Sequence, residues 1–270
     1  MTDKYAVIGN PIAHSKSPQI HKLFTQQTGQ DISYESILAP LDGFAATIDR
    51  IRTEGYKGCS VTVPFKFEAL KLATRLSERA QSAMAVNTLK FDDDNIIGDN
   101  TDGAGLVRDI ENNLGFHLRN KRILLVGAGG AAYGAALPLL QAGIFQLSIS
   151  NRTIEKAENL AASFAQKFKN IDVFKFPDER SFDLVINATS SGLKGELPTL
   201  PSTIFGTGTL AYEMMYGRET QFMKFARQHG ATVVSDGLGM LVEQAAEAFF
   251  VWRNVRADTA PVIAALRNKQ

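Results

Sequence analysis

Cysteine occurs once in the 270 residues, as Cys59. No internal disulfide can form and no cluster of thiolates can hold a metal, so a reducing compartment fits and the cytoplasm is the expected location. Histidine is nearly as scarce: His14, His21, His117 and His229 are all there are. None pairs with an acid at metal-ligand spacing, and no metal is expected. An excess of one charge is missing too, since 29 Lys and Arg face 28 Asp and Glu for a formal charge of +1. Such a balance gives no electrostatic reason to bind nucleic acid or an anionic membrane. Long apolar runs are absent: nothing approaches the about 20 uninterrupted residues of a membrane span. The opening MTDKYAVIGNP lacks the apolar core of a signal peptide. A soluble protein with a small-molecule partner is therefore expected, with a homodimer left open.

What the chain does have is alternation. Short β-branched or apolar runs are separated by longer amphipathic stretches, the pattern of parallel sheets covered by helices. Strands are expected near residues 5–9, 33–38, 58–63, 85–91, 96–98, 122–126, 147–150, 172–174, 184–187, 209–212 and 232–234. Helices are expected over 18–29, 44–54, 105–113, 131–142, 154–168, 220–229 and 237–252. The acidic run Asp92, Asp93, Asp94, Asn95 reads as a hairpin turn. A break near residues 114–121, or at the start of the helix before it, suggests two α/β domains. Residues 1–103 with 237–270 are assigned to a substrate-binding, catalytic domain and 104–236 to a Rossmann-type, doubly wound domain. The last helices have no strand left to cross over to, and so are expected to pack back on the first domain.

The stretch RILLVGAGGAAYGAALPLLQAG reads as a buried strand, a glycine turn and a helix. That context is what a dinucleotide fingerprint requires. Gly127 permits the turn, Gly129 lets the backbone approach a pyrophosphate, and Ala132 keeps helix and strand close. Gly127, Ala128, Gly129, Gly130 and Ala131 are thus candidate cofactor contacts, with the helix N-terminus facing the phosphates. NAD sites usually carry Asp or Glu at the end of the next strand. Here stand Asn151, Arg152 and Thr153, with Lys156 one turn on. A guanidinium suits a 2′-phosphate, so NADP is favoured over NAD; the plain alternative for Arg152 is a solvated surface charge.

Three clusters in the first half carry small polar side chains at expected strand ends. In GNPIAHSKSPQIH, Ser15 and Ser17 offer hydroxyls beside Pro18, a residue favoured at a helix start, and could hold a carboxylate. Ser17 reads equally well as an N-cap. SVTVPFK supplies Thr62 and Lys66, and AVNT with GDNTDG supplies Asn87 and Asp102. A lysine, an aspartate and an amide suffice to move one proton on one polar substrate. Taken singly, Lys66 could be a surface charge and Asp102 a helix cap.

The ordered series YAVIGNPIAHSKSP, SVTVPFK, AVNT, GDNTDG, VGAGGA, SNRT, NATSSG and DGLGML resembles the shikimate dehydrogenase family along nearly the whole chain. The resemblance implies reversible reduction of 3-dehydroshikimate to shikimate with NADPH on the way to aromatic amino acids and chorismate, in a cleft between two α/β domains. It implies Lys66 and Asp102 as the catalytic pair and Ser15 and Ser17 on the substrate carboxylate. Thr62, Asn87 and Gln244 would surround the ring, with Tyr216 at the carboxylate end. Met214 and Gly237 would lie against the nicotinamide half, and Glu78 matches a position linked to the cofactor. The chain departs from the common pattern at Ser60 (usually Asn), Tyr133 (often Arg), Lys156 (often Arg) and Glu213 (commonly Asp). Two rival readings follow from the same residues: a quinate/shikimate dehydrogenase with relaxed cofactor choice, and a non-catalytic NADP-binding sensor.

Overall fold

The computed structural model describes residues 2–175 and 178–268. The chain divides into two compact units, one made of Met1–Gly105 with Leu241–Gln270 and the other of Leu106–Met240. These divisions fall a few residues after the expected ones, inside two helices. Leu106 and Ile110 already belong to the second unit's apolar core, and Met240 packs against that core.

The first unit begins β1 (Asp3–Gly9), α1 (Ser17–Thr28), β2 (Ile32–Leu38), α2 (Phe44–Thr53) and β3 (Tyr56–Val61). It continues α3 (Lys66–Leu72), β4 (Arg75–Leu76), α4 (Glu78–Ala83), β5 (Thr88–Asp92), β6 (Asn95–Asp99) and α5 (Asp102–Arg108). Its sheet runs β2-β1-β3-β5-β6-β4. β1 is parallel to β2 and β3, whereas β5 lies antiparallel to both β3 and β6. Because side chains alternate along a strand, Ala6, Ile8, Cys59 and Val61 face one way, into a core with Phe44, Ile48 and Ile51 of α2. Tyr5 faces the other way, against Ala248 and Trp252.

The second unit contains β7 (Arg122–Val126), α6 (Gly130–Gln141), β8 (Gln146–Ser150), α7 (Ile154–Phe164), β9 (Ile171–Val173), β10 (Leu184–Asn187), β11 (Leu210–Glu213), α8 (Gln221–Gln228) and β12 (Val233–Ser235). Every pairing in its sheet is parallel, in the order β12-β11-β10-β7-β8-β9. Strands buried on both faces read as continuous apolar runs, and in β7 residues Ile123, Leu124, Leu125 and Val126 are all buried. Each such side chain contributes about 1.5–3 kcal/mol by leaving water. The strand order reverses direction between β7 and β10, and α/β sheets bind ligands at the carboxyl ends of the strands flanking such a switch.

α9 (Leu238–Arg253) and α10 (Ala260–Arg267) complete the chain. The Trp252 indole donates to the Leu89 carbonyl at 3.0 Å, which fastens the end of α9 to β5. Sequence periodicity passed over α3, α4, β4 and α10. The two early helices have only seven and six residues, too few for an apolar stripe to repeat. α5 begins three residues before the expected start and gives way to a single π-type turn over Asp109–Asn113.

Candidate functional site

Lys66 is the first residue of α3 and Asp102 the first of α5. Their side chains meet, with Lys66 Nζ 2.5 Å from Asp102 Oδ2. Both remain partly exposed, at 29% and 19%, so the pair can meet a ligand without paying for full desolvation of either charge. The Val86 amide donates to the Lys66 carbonyl at 3.0 Å, which ties the start of α3 to the loop before β5.

Asn87 holds the other side of the aspartate. Its Nδ2 donates to Asp102 Oδ1 at 2.8 Å and to Thr101 Oγ1 at 2.9 Å. Its Oδ1 accepts from the Thr101 amide and from Thr88 Oγ1, each at 2.9 Å. Gln244 Oε1 lies 3.4 Å from Asn87 Nδ2 and completes the group from α9. Four of the residues singled out in the sequence therefore form one connected polar cluster in the first unit. Ser15 and Ser17 form a second, because the Ser17 amide donates to Ser15 Oγ at 3.3 Å. Lys16 holds the N-cap position of α1 and Ser17 is the first residue of the helix, so the N-cap reading does not describe Ser17. Thr62 is half-buried just after β3.

Sequence reasoning missed the framework beneath Asp102. The Asp102 amide donates to Asn100 Oδ1 at 3.1 Å, and the Asn100 amide to Asp99 Oδ1 at 2.7 Å. Asp99 is gripped in turn by the Arg79 guanidinium and the Ser77 hydroxyl. Arg79 also reaches Glu247 of α9 at 2.9 Å, and Arg256 binds the same carboxylate at 2.7 Å. Burial works against the charge on Asp99 and Glu247, but these arginine contacts outweigh it and hold both carboxyls below their usual range. The only signal in the sequence was the position of Arg79 beside Glu78.

In the second unit Gly127 ends β7 with φ of +114°, a conformation closed to other residues without strain. A Cβ there would sit 3.1 Å from the Ala188 carbonyl carbon. Gly129 and Gly130 are exposed, and a Cβ at either would meet nothing within 4 Å. The start of α6 carries no side-chain cap, so its leading N–H groups are open to an anion. At the end of β8, Asn151 Nδ2 donates to the Thr153 carbonyl at 2.8 Å, and Arg152 and Lys156 are exposed. The glycine turn, the open helix end and two exposed cations at a topological switch fit a phosphorylated dinucleotide.

Glu213, buried at the end of β11, accepts from Asn187 and Thr220, each at 2.8 Å, and from the Met215 amide at 3.1 Å. Burial pushes its carboxyl up despite these bonds. The loop it holds carries Met214 and Tyr216. Gly237 packs on that loop, for a Cβ there would collide with the Met214 carbonyl oxygen. Tyr216 is half-buried, and burial raises its phenol. Tyr216 belongs to the second unit and Ser15 and Ser17 to the first; Glu78 opens α4 in the first unit, while Gly127–Ala131, Asn151–Lys156, Met214 and Gly237 lie in the second. Among the described residues no three His, Cys, Asp or Glu side chains are grouped to hold a metal, and no helix is long and apolar enough to cross a membrane.

Three family models match the chain. The shikimate dehydrogenase substrate binding domain covers residues 7–89, shikimate/quinate 5-dehydrogenase 109–194, and the shikimate 5′-dehydrogenase C-terminal domain 237–267. Shikimate dehydrogenase (NADP(+)) of Methylobacillus flagellatus is 59% identical over 98% of this chain and 99% of its own. The crystal structure of an Ael1 enzyme from Pseudomonas putida superposes with a TM-score of 0.94 at 50% identity, covering 98% of both chains. Shikimate 5-dehydrogenase of Thermus thermophilus, in complex with NADP(H) and shikimate, gives 0.88 at 31% identity over 100% of both. Matched from end to end in sequence and fold, the chain belongs to the shikimate dehydrogenase family.

Proposed function

We propose that this protein catalyses the reversible, NADPH-dependent reduction of 3-dehydroshikimate to shikimate, a step toward chorismate and the aromatic amino acids. The observation that carries the reading is the Lys66–Asp102 pair, 2.5 Å apart, with Asn87 fixing the second carboxylate oxygen. Ser15 and Ser17 bind the substrate carboxylate, and Thr62, Asn87 and Gln244 hydrogen-bond the ring hydroxyls. Arg152, Thr153 and Lys156 receive the 2′-phosphate, while the Gly127–Ala131 turn receives the pyrophosphate. The absence of a carboxylate at the end of β8 supports NADP over NAD. A metabolic enzyme whose single cysteine is buried suits the cytoplasm.

NADPH, when bound, supplies the hydride. As negative charge grows on the carbonyl oxygen of the substrate, the Lys66 ammonium stabilises it and gives up a proton from Nζ. Asp102 keeps that ammonium aimed, and Asn87 keeps Asp102 from turning away. In the oxidative direction neutral Lys66 takes the proton back from the hydroxyl. Lys66→Ala should lower kcat by roughly 10²–10⁴-fold while shikimate still binds by calorimetry; turnover at the wild-type rate would remove Lys66 from this role. Initial rates with shikimate and with quinate, each with NADP⁺ and NAD⁺, test substrate and cofactor together. Shikimate with NADP⁺ should be the fastest of the four, and any other order refutes the assignment.

A further inference from the structure

β6 ends at Asp99 and α5 begins at Asp102, so the link of Asn100 and Thr101 sets where the Asp102 side chain stands. Asn100 is buried and its side-chain amide works twice: Nδ2 donates to the Ala85 carbonyl at 3.1 Å, and Oδ1 accepts from the Asp102 amide at 3.1 Å. The backbone amide of Asn100 donates to Asp99 Oδ1 at 2.7 Å. The link is therefore only as fixed as the Asp99 carboxylate. Arg79, the second residue of α4, grips that carboxylate at two points, with Nε 3.1 Å from Oδ1 and Nη2 2.5 Å from Oδ2, and so sets its plane. The guanidinium is anchored in turn, because Nη1 donates to Glu247 Oε1 at 2.9 Å and Arg256 holds Glu247 Oε2 at 2.7 Å.

We propose that Arg79 is a positioning residue for the reaction, acting through Asp99 and Asn100 to hold the start of α5 where the Asp102 carboxylate meets Lys66. The inference rests on the assignment of Lys66 and Asp102 as the pair that handles the proton. Asp102 is committed on both oxygens, to Lys66 at 2.5 Å and to Asn87 at 2.8 Å. Asn87 is stitched to the same link, since its amide donates to the Asp99 carbonyl at 3.0 Å and its Oδ1 accepts from the Thr101 amide at 2.9 Å. A shift at Asp99 thus reaches both groups that set the Lys66 contact, and hydrogen bonds weaken steeply as they lose alignment. Packing alone does not call for this arrangement. Desolvating charged groups costs free energy that apolar side chains of similar volume would not, and what the guanidinium supplies in return is direction, through a planar fork that a lysine ammonium lacks.

Arg79→Lys keeps the charge and loses the fork, whereas Asp99→Asn keeps the shape and loses the charge. Each should lower kcat for shikimate oxidation roughly 10-fold, with the KM for NADP⁺ changed by less than about 2-fold, because the residues assigned to the cofactor turn lie in the other unit. In an Asp102→Ala background the same changes should lower kcat by less than about 2-fold, since the group they position is gone. An equal fold-loss in both backgrounds would make Arg79 a structural residue only and overturn the inference. So would a kcat within about 2-fold of wild type in a variant that folds by circular dichroism. Asp99→Asn decides the question where Arg79→Lys does not fold; if neither folds, Arg79 serves the fold and the inference is lost. If Asp102→Ala by itself leaves kcat at the wild-type value, the assignment of the pair fails first and the inference falls with it.

Discussion

His21 is fully buried in α1, and neither ring nitrogen has a hydrogen-bond partner. Its neighbours are rings: Tyr34 at 4.0 Å, Trp252 at 5.5 Å, Phe24 at 5.7 Å and Phe249 at 6.1 Å between centroids. With no group to share its charge, burial pulls the imidazole down from the ordinary 6.5 to about 3. Below pH 6.5 the unfolded chain binds a proton that the folded chain refuses. Stability is therefore full above pH 6.5 and is lost as pH falls toward 3, by about 1.4 kcal/mol per unit. Between pH 7.5 and 5.0 the loss from this one residue is about 2 kcal/mol. His21→Phe keeps a flat ring against Tyr34 and removes both the titration and two unsatisfied polar atoms. Urea unfolding at pH 7.5, 6.5, 5.5 and 5.0 measures the effect directly. The wild type should lose about 2 kcal/mol more than the variant across that range, and the variant should match or exceed wild-type stability at pH 7.5. The difference isolates His21, because every other titrating group is common to both proteins. Parallel curves for the two would mean that the imidazole is solvated or charged in the native state, and burial would then not be what governs it.

Two further outcomes concern the cofactor side. Arg152→Ala should raise the KM for NADP⁺ at least about 10-fold, the worth of a charge-assisted bond, and leave that for NAD⁺ within about 2-fold; equal shifts for both would show that Arg152 does not read the 2′-phosphate. Gly127→Ala forces a Cβ onto φ of +114° and against the Ala188 carbonyl. It should cost about 1–3 kcal/mol by urea unfolding and weaken NADP⁺ binding in calorimetry, and an unchanged unfolding midpoint would refute the strain.

Features confined to short stretches of consecutive residues are legible in the amino-acid sequence alone. β7, the Gly127 turn and α6 follow one another without a break, and β7 and β10 have the expected bounds. Lys66 and Asp102 are legible as chemistry, but not as a pair: 36 residues part them, and only the placement of α3 and α5 brings Nζ to the carboxylate. Glu78 matches a family pattern in the sequence, whereas nothing local marks Arg79, whose partners Asp99 and Glu247 lie 20 and 168 residues away.

What the sequence determined by itself was the local grammar: which runs become strands, where a glycine must turn, and which end of a helix is left open to phosphate. These depend on backbone sterics and on periodicity between near neighbours. Tertiary structure alone decided the strand order, the clamp of Asn87 on Asp102, the arginine framework under Asp99 and the bond from the Tyr34 hydroxyl to Ser60. Each is a contact across strands or helices distant in sequence, and such contacts exist only once burial of the apolar faces has fixed the register that brings their donors and acceptors together.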